Sequence, residues 1–222
     1  YSIPQDDDVF SFHVRIEARR GLTRGFRRSI RFTVDGKAPH EDMPYEHALP
    51  VLEWGINLVT ALRCHCFVML HAAVAEIDGS AVLMPGEPGS GKSTLCTGLA
   101  LRGWRLLSDE FGMVRPGSKE LVPYPRPIAL KNESIEIIRA LSPDAYLGPK
   151  IVGTRKGTVA HFRPPADSVR KSRINAPVGK IVFPQWHPGV ASRLVEIPKA
   201  QALMLLASNA FNYELLGEPA FR

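Results

Sequence analysis

The chain of 222 residues is 45% hydrophobic and 23% charged, enough apolar material for one large core and too much for wholesale disorder. Its net charge of +6, with an isoelectric point near 9.4, favours anionic partners such as nucleotides, acidic peptides or nucleic acid. No apolar run approaches the roughly 20 residues that span a bilayer, so no membrane partner is expected, and three cysteines are too few for a disulfide framework, which fits a reducing cytoplasm.

Residues 9–19 and 29–36 alternate apolar and polar side chains, as half-exposed strands do. Between Arg15 and Arg31 a basic cluster includes Arg19, Arg20, Arg24, Arg27 and Arg28 with only Glu17 against them. No nucleic-acid motif with interleaved aromatics accompanies it, so a solvated face is an equally good reading and nucleic acid is not an expected partner. The stretch "YEHALPVLEWGINLVTALRC" predicts a helix, entered or kinked near Pro50 and apolar on one broad face. The "CHC" at 64–66, followed by His71, lacks the spacing and the second ligand pair of a structural zinc site; buried thiols are expected instead.

"FVMLHAAVAEIDGSAVLMPG" predicts two strands joined by a tight turn at Asp78 and Gly79, the second running into a glycine-rich loop. "KSTLCTGLALRG" is a helix closed by Gly103, and "WRLLS" a short buried strand that stops at Asp109 and Glu110. Strands are expected near 112–116 and 120–124, then a helix capped by Asn132 or Ser134. A second basic stretch runs from Lys150 to Lys180, and the glycine- and lysine-rich residues 142–157 are expected to be mobile. "GTVAHF", "GKIVFPQW" and "SRLVEI" follow as strands, and "PKAQALMLLASNAF" as a late helix with Pro198 in its first turn. The fold class is α/β with a mixed sheet, less regular than a doubly wound fold.

The chemistry concentrates in "MPGEPGSGKSTL", which contains G-x-x-x-x-G-K-S at Gly86, Gly91, Lys92 and Ser93. An apolar strand precedes this P-loop (Walker A) motif and an apolar helix follows, the context the motif requires. Backbone N–H groups from Glu87 to Gly91 would hold phosphate oxygens, and the helix N-terminus adds partial positive charge. Gly86, Glu87, Pro88, Gly89, Ser90, Gly91, Lys92, Ser93 and Thr94 are therefore the candidate nucleotide-binding residues. Lys92 would reach the β- and γ-phosphates and Ser93 would ligate Mg²⁺. Such a site also needs a carboxylate at a strand end, and Asp109 and Glu110 stand on the very next strand. His71, in the preceding strand, is on composition alone more often a packed core residue than a functional one.

The set "LHAAVAEIDGSAVLMPGEPGSGKSTLCTGLALRGWRLLSDE" resembles the catalytic core of bacterial HPr kinase/phosphorylase over residues 65–116. "PRPIALKNESIEII" and "SNAFNYELLGEPAF" look more like the HPr-kinase-related branch (A type), which includes kinases that modify peptides. The resemblance implies a P-loop core with a mixed β-sheet, akin to phosphoenolpyruvate carboxykinase. On that basis residues 51–222 would be the catalytic domain, and residues 1–50 a strand-rich extension packed on it in place of the family's regulatory domain. The resemblance also implies ATP and Mg²⁺ as cofactors and transfer of the γ-phosphoryl group to a serine hydroxyl of a peptide or small protein. His71 matches the family's active-site histidine, and Asp109 the carboxylate that activates the acceptor. Glu110 stands where the family has a second aspartate, which leaves open how base and metal ligand divide between the two acids. Thr94 occupies a place where HPr kinases carry glutamate. The arginine signature of the phosphorylase reaction does not align, so that activity has no support in the sequence.

The expected catalytic group is Lys92, Asp109, Glu110 and His71, with His71 hydrogen-bonding Asp109; the expected metal ligands are Ser93, Asp109 and Glu110. Lys131, Arg155 and Arg163 are candidates for phosphate or substrate contacts. Two other readings stay open: a small-molecule kinase acting on free serine or a sugar, and a nucleotide-binding switch or ATPase. A homo-oligomer is compatible with either.

Overall fold

The computed structural model describes residues 11–20 and 28–218 and divides the chain into two compact units, Tyr1–Cys64 and His65–Arg222. Arg24 and Arg27 of the basic cluster lie outside the described residues.

In the first unit β1 (Val14–Arg20) pairs antiparallel with β2 (Arg28–Val34), and β3 (Met43–Pro44) adds to the other edge of β2. Period-2 alternation puts Ile30, Phe32 and Val34 of β2 on one buried face. There they meet Val51 and Val59 of α1 (Ala48–Arg63), which takes Pro50 in its first turn, where a missing N–H costs nothing. Packing is tight enough that a Cβ on Gly55 would stand 2.3 Å from the Phe32 ring. Because α1 shares this core, the boundary between units falls after Cys64, not at residue 50 as the sequence suggested. Within the basic cluster Arg15 pairs with Glu17 at 3.0 Å, and beyond it Arg31 pairs with Asp42 at 2.6 Å.

The second unit is mixed α/β, built on a closed barrel. Strands β4 (Val68–Ile77) and β5 (Ser80–Pro85) form the expected hairpin. Its turn residues Asp78 and Gly79 hold φ of 52° and 77°, the geometry that follows strand twist, and Glu76 Oε1 accepts the Gly79 N–H at 2.6 Å. On the far edge of β4 lie β6 (Arg105–Ser108) and then β7 (Phe111–Val114), both antiparallel to it. Val74 pairs with Ser108 and His71 with Phe111 in one common register, so β6 and β7 run as one strand beside β4, broken at Asp109 and Glu110. β8 (Glu120–Val122) continues from β7, β12 (Ala176–Ile181) pairs with β8, and β12 returns parallel to β5 to close the ring.

Alternation along the strands fills both faces. Leu70, Ala72, Val74, Ala81, Leu83, Leu121 and Ala176 share the barrel core, where Gly112 leaves room for the Leu83 side chain. Ala73, Ala75, Met84 and Leu106 point the other way, onto Cys96 and Ala100 of α2 (Lys92–Leu101). The second side of α2 is covered by β9 (Ile128–Lys131), α3 (Glu133–Leu141) and Phe162 of β11 (Gly157–Phe162). The helix that follows the glycine-rich loop is thus clamped between two layers. Arg105 closes the open edge of β6, pairing with Glu76 at 2.5 Å and donating to the carbonyls of Lys171 and Ile174.

Three sequence expectations are corrected. Residues 142–157, expected to be mobile, include β10 (Ile151–Thr154), which pairs with β11 beside β9. Residues 192–197 lie outside any strand, with residues 192–196 exposed, Leu194 by 90%, and Ile197 half-buried. Neither Asn132 nor Ser134 caps α3 by a side-chain bond; Asn132 sits at φ 51° with its Oδ1 accepting from Thr158, and Ser134 Oγ bonds Lys131.

Gly55→Ala is expected to destabilise the first unit by about 1–3 kcal/mol through overpacking against Phe32. Urea denaturation should show this, with partial recovery when Phe32→Leu is added to make room.

Candidate active site

The loop after β5 starts at the level of His71: Pro85 pairs with Ala72, and the Gly86 N–H donates to the His71 carbonyl at 3.4 Å. Gly89 and Gly91 adopt φ of 89° and 93°, where a side chain would be strained, and Gly91 opens α2. A Cβ on Gly86 would meet Ser90 Oγ at 2.8 Å, and one on Gly91 would meet Trp186 Cβ at 3.2 Å. The run Gly86, Glu87, Pro88, Gly89, Ser90 and Gly91 is therefore shaped as a close-approach loop at a helix N-terminus, with Lys92, Ser93 and Thr94 on the first turn. Pro88 has no N–H, so the expected run of donors from Glu87 to Gly91 is interrupted at that residue.

Lys92 is only 6% exposed, and its ammonium donates to the carbonyls of Gly86 at 2.5 Å and Glu87 at 3.0 Å. The side chain folds back over the loop it belongs to. Burial lowers its pKa, opposed by the negative charges of Asp109 and Glu110. Asp109, 8% exposed, sits at the break between β6 and β7, where Ser108 Oγ accepts the Phe111 N–H at 3.2 Å and pinches the chain outward. Its field also reaches Cys96, whose thiol is held well above its ordinary pKa, chiefly by burial and then by Asp109.

His71 lies across β4 from this break, with Nε2 at 3.7 Å from Glu110 Oε2. Burial, and then the charges of Lys92, Lys131 and Lys156, push its pKa down from 6.5 to about 4. At neutral pH the ring is therefore uncharged, and the Glu110 contact is too long for a direct hydrogen bond. The sequence pairs His71 with Asp109; the structure sets Glu110 Oε2 within 3.7 Å of the ring.

Residues 209–212 complete the surroundings. They take the edge of β4 that β5 leaves open: His71 N–H donates to the Asn209 carbonyl at 2.7 Å and Phe211 N–H to the Met69 carbonyl at 2.8 Å. Asn212, 1% exposed, accepts from Met69 N–H at 3.0 Å and donates to the Phe67 carbonyl at 2.8 Å. Losing it would leave buried backbone groups unsatisfied at about 1–3 kcal/mol each. Phe211 packs its ring 5.9 Å from His71 and 5.4 Å from Phe111. Sequence reasoning assigned these residues no role in the site; the signal was the polar pair Asn209 and Asn212 bracketing an aromatic. Trp186, over Gly91, was read only as the end of a strand.

Of the outlying candidates, Lys131 acts electrostatically on both His71 and Lys92, as does Lys156 on His71. Arg155 lies in the turn between β10 and β11, and Arg163 stacks over the Tyr146 ring at 4.5 Å. Among the described residues no group of three or more His, Cys, Asp or Glu side chains is gathered to hold a metal. Ser93, Asp109 and Glu110 offer only hard oxygen donors, which suits Mg²⁺, an ion that keeps waters and shares its shell with substrate phosphates. No family model, curated protein or solved structure matches the chain.

The low pKa of His71 has a definite sign. The unfolded chain takes up the proton first, so this residue's contribution to stability is complete above about pH 6.5 and is lost as pH falls toward 4. An NMR titration should place the His71 imidazole midpoint near 4, and His71→Asn should flatten the acid limb of the stability profile; a midpoint near 6.5 would contradict the buried, neutral ring.

Proposed function

We propose that the protein is an ATP-dependent kinase that transfers the γ-phosphoryl group to a serine hydroxyl of a peptide or small protein, on a core akin to the HPr kinase/phosphoenolpyruvate carboxykinase catalytic domain. One observation carries this reading: a buried lysine at the end of a glycine-rich loop lies in the field of a buried aspartate one strand away. A loop that merely turned the chain would not require either burial, since lone buried charges are costly.

The acceptor hydroxyl would approach from the β6–β7 break. Asp109 would take its proton as the serine oxygen attacks the γ-phosphorus; the bond from that phosphorus to the β,γ-bridging oxygen breaks, and ADP leaves with the electron pair. Lys92 would exchange its carbonyl partners for phosphate oxygens and offset the charge developing on the leaving group. Ser93 with Asp109 or Glu110 would hold Mg²⁺, which when bound neutralises the β- and γ-phosphates. Neutral His71 would hold the space beside Glu110 without adding a cation that competes for that carboxylate.

With γ-labelled ATP and a peptide array, wild type should label serine-containing peptides. Lys92→Ala should lower transfer by about 10²–10³-fold, and Asp109→Asn by about 10²–10⁴-fold while leaving nucleotide binding in place. If no hydroxyl is labelled in peptides, free serine or sugars, or both variants match wild type, the kinase reading is wrong.

A further inference from the structure

We propose that residues 182–186, which leave β12 and cross the phosphate loop, form the base-binding flank of the nucleotide site, with the Trp186 indole as the stacking surface for a nucleobase. The proposal rests on the nucleotide reading above and adds the part of the ligand that a phosphate loop does not touch.

Strand topology makes the first argument. Among the described strand pairings β5 and β12 are the parallel pair, every other ladder of the barrel being antiparallel. Their carboxyl ends therefore emerge together. One feeds the phosphate loop and the other feeds residues 182–186, and ligands of α/β sheets collect at such shared strand ends. The order across the sheet then separates two flanks. β5 lies between β12 and β4, while β4 carries β6, β7 and the two acids on its other edge. A nucleotide whose terminal phosphate points to Asp109 has its nucleoside end free to point toward β12.

The local geometry makes the second. The Val182 N–H donates to the Leu83 carbonyl at 2.9 Å, continuing the ladder past the end of β12. The Pro184 carbonyl then lies 3.8 Å from the position of a Gly86 Cβ, and Trp186 Cβ lies 3.2 Å from that of a Gly91 Cβ. Both ends of the loop are thus touched by this one segment. Pro184 and Pro188 restrict its backbone, and Gly189, at φ 74°, turns it away. Yet Trp186, held close to the loop at its Cβ, is 56% exposed. A large aromatic ring anchored at its stem, with much of its surface open beside a phosphate loop, matches a planar base better than it matches a hydrated chain of hydroxyls.

Calorimetry with ATP and with inorganic tripolyphosphate separates this idea from the reading beneath it. Wild type should bind ATP more tightly than tripolyphosphate. Trp186→Ala should weaken ATP binding roughly 10-fold, the loss of one stacking contact, and leave tripolyphosphate binding unchanged; Trp186→Phe should recover most of the loss. Equal affinity of wild type for the two ligands, or a Trp186→Ala variant that binds ATP like wild type or loses both ligands equally, would overturn the stacking role while leaving the phosphate loop intact. A wild-type chain that binds neither would sink the nucleotide reading and this inference with it.

Discussion

β4 is hydrogen-bonded along both edges, and the placement of the candidate chemistry follows from what each edge holds. On one side β5 pairs with its second half and residues 209–212 with its first. On the other, β6 and β7 follow one another along β4, interrupted by two acids, with a register shift in the β6 ladder between Val74 and Ala75. The loop, the histidine and the acid pair come from three different stretches of sequence, yet each is fixed to the same few residues of one strand. Moving any of them requires breaking backbone ladders, so the barrel fixes their relative positions.

The electrostatics of this strand level favour readiness over neutrality. Lys92 is buried near Asp109 but spends its hydrogen bonds on two loop carbonyls. Those carbonyls are neutral acceptors, weaker partners for an ammonium than an anionic oxygen. The same burial keeps His71 uncharged, so the positive potential comes from the lysines Lys92, Lys131 and Lys156. The overall basic character of the chain therefore has a local expression near the loop.

The hairpin, the loop and α2 were legible because their signals are local: Asp78 with Gly79, the spaced glycines, and the apolar residues on either side. What stayed hidden was long-range pairing. The stretch 179–186 announces a strand, but not that the strand spans Ala176–Ile181, runs parallel to β5 and closes a barrel. The acids were visible as a pair, yet their place in the break between β6 and β7, with Glu110 3.7 Å from His71, depends on pairing with β4. Residues 192–197 show the converse, an alternating pattern that leaves Leu194 90% exposed and forms no strand. Asn132 shows that a residue with cap chemistry can be claimed by a strand 26 positions away.

The pairing of residues 209–212 with β4 also sets an order of events during synthesis. Asn212 bonds the backbone of Met69 across 143 positions, so the edge of β4 at His71 stays open until that late segment leaves the ribosome. Loop, helix and acids can gather earlier from nearer contacts, whereas such distant closures are slow to form. The glycine-rich loop can therefore take shape in the nascent chain before the wall beside His71 does, because that wall waits for residues 209–212.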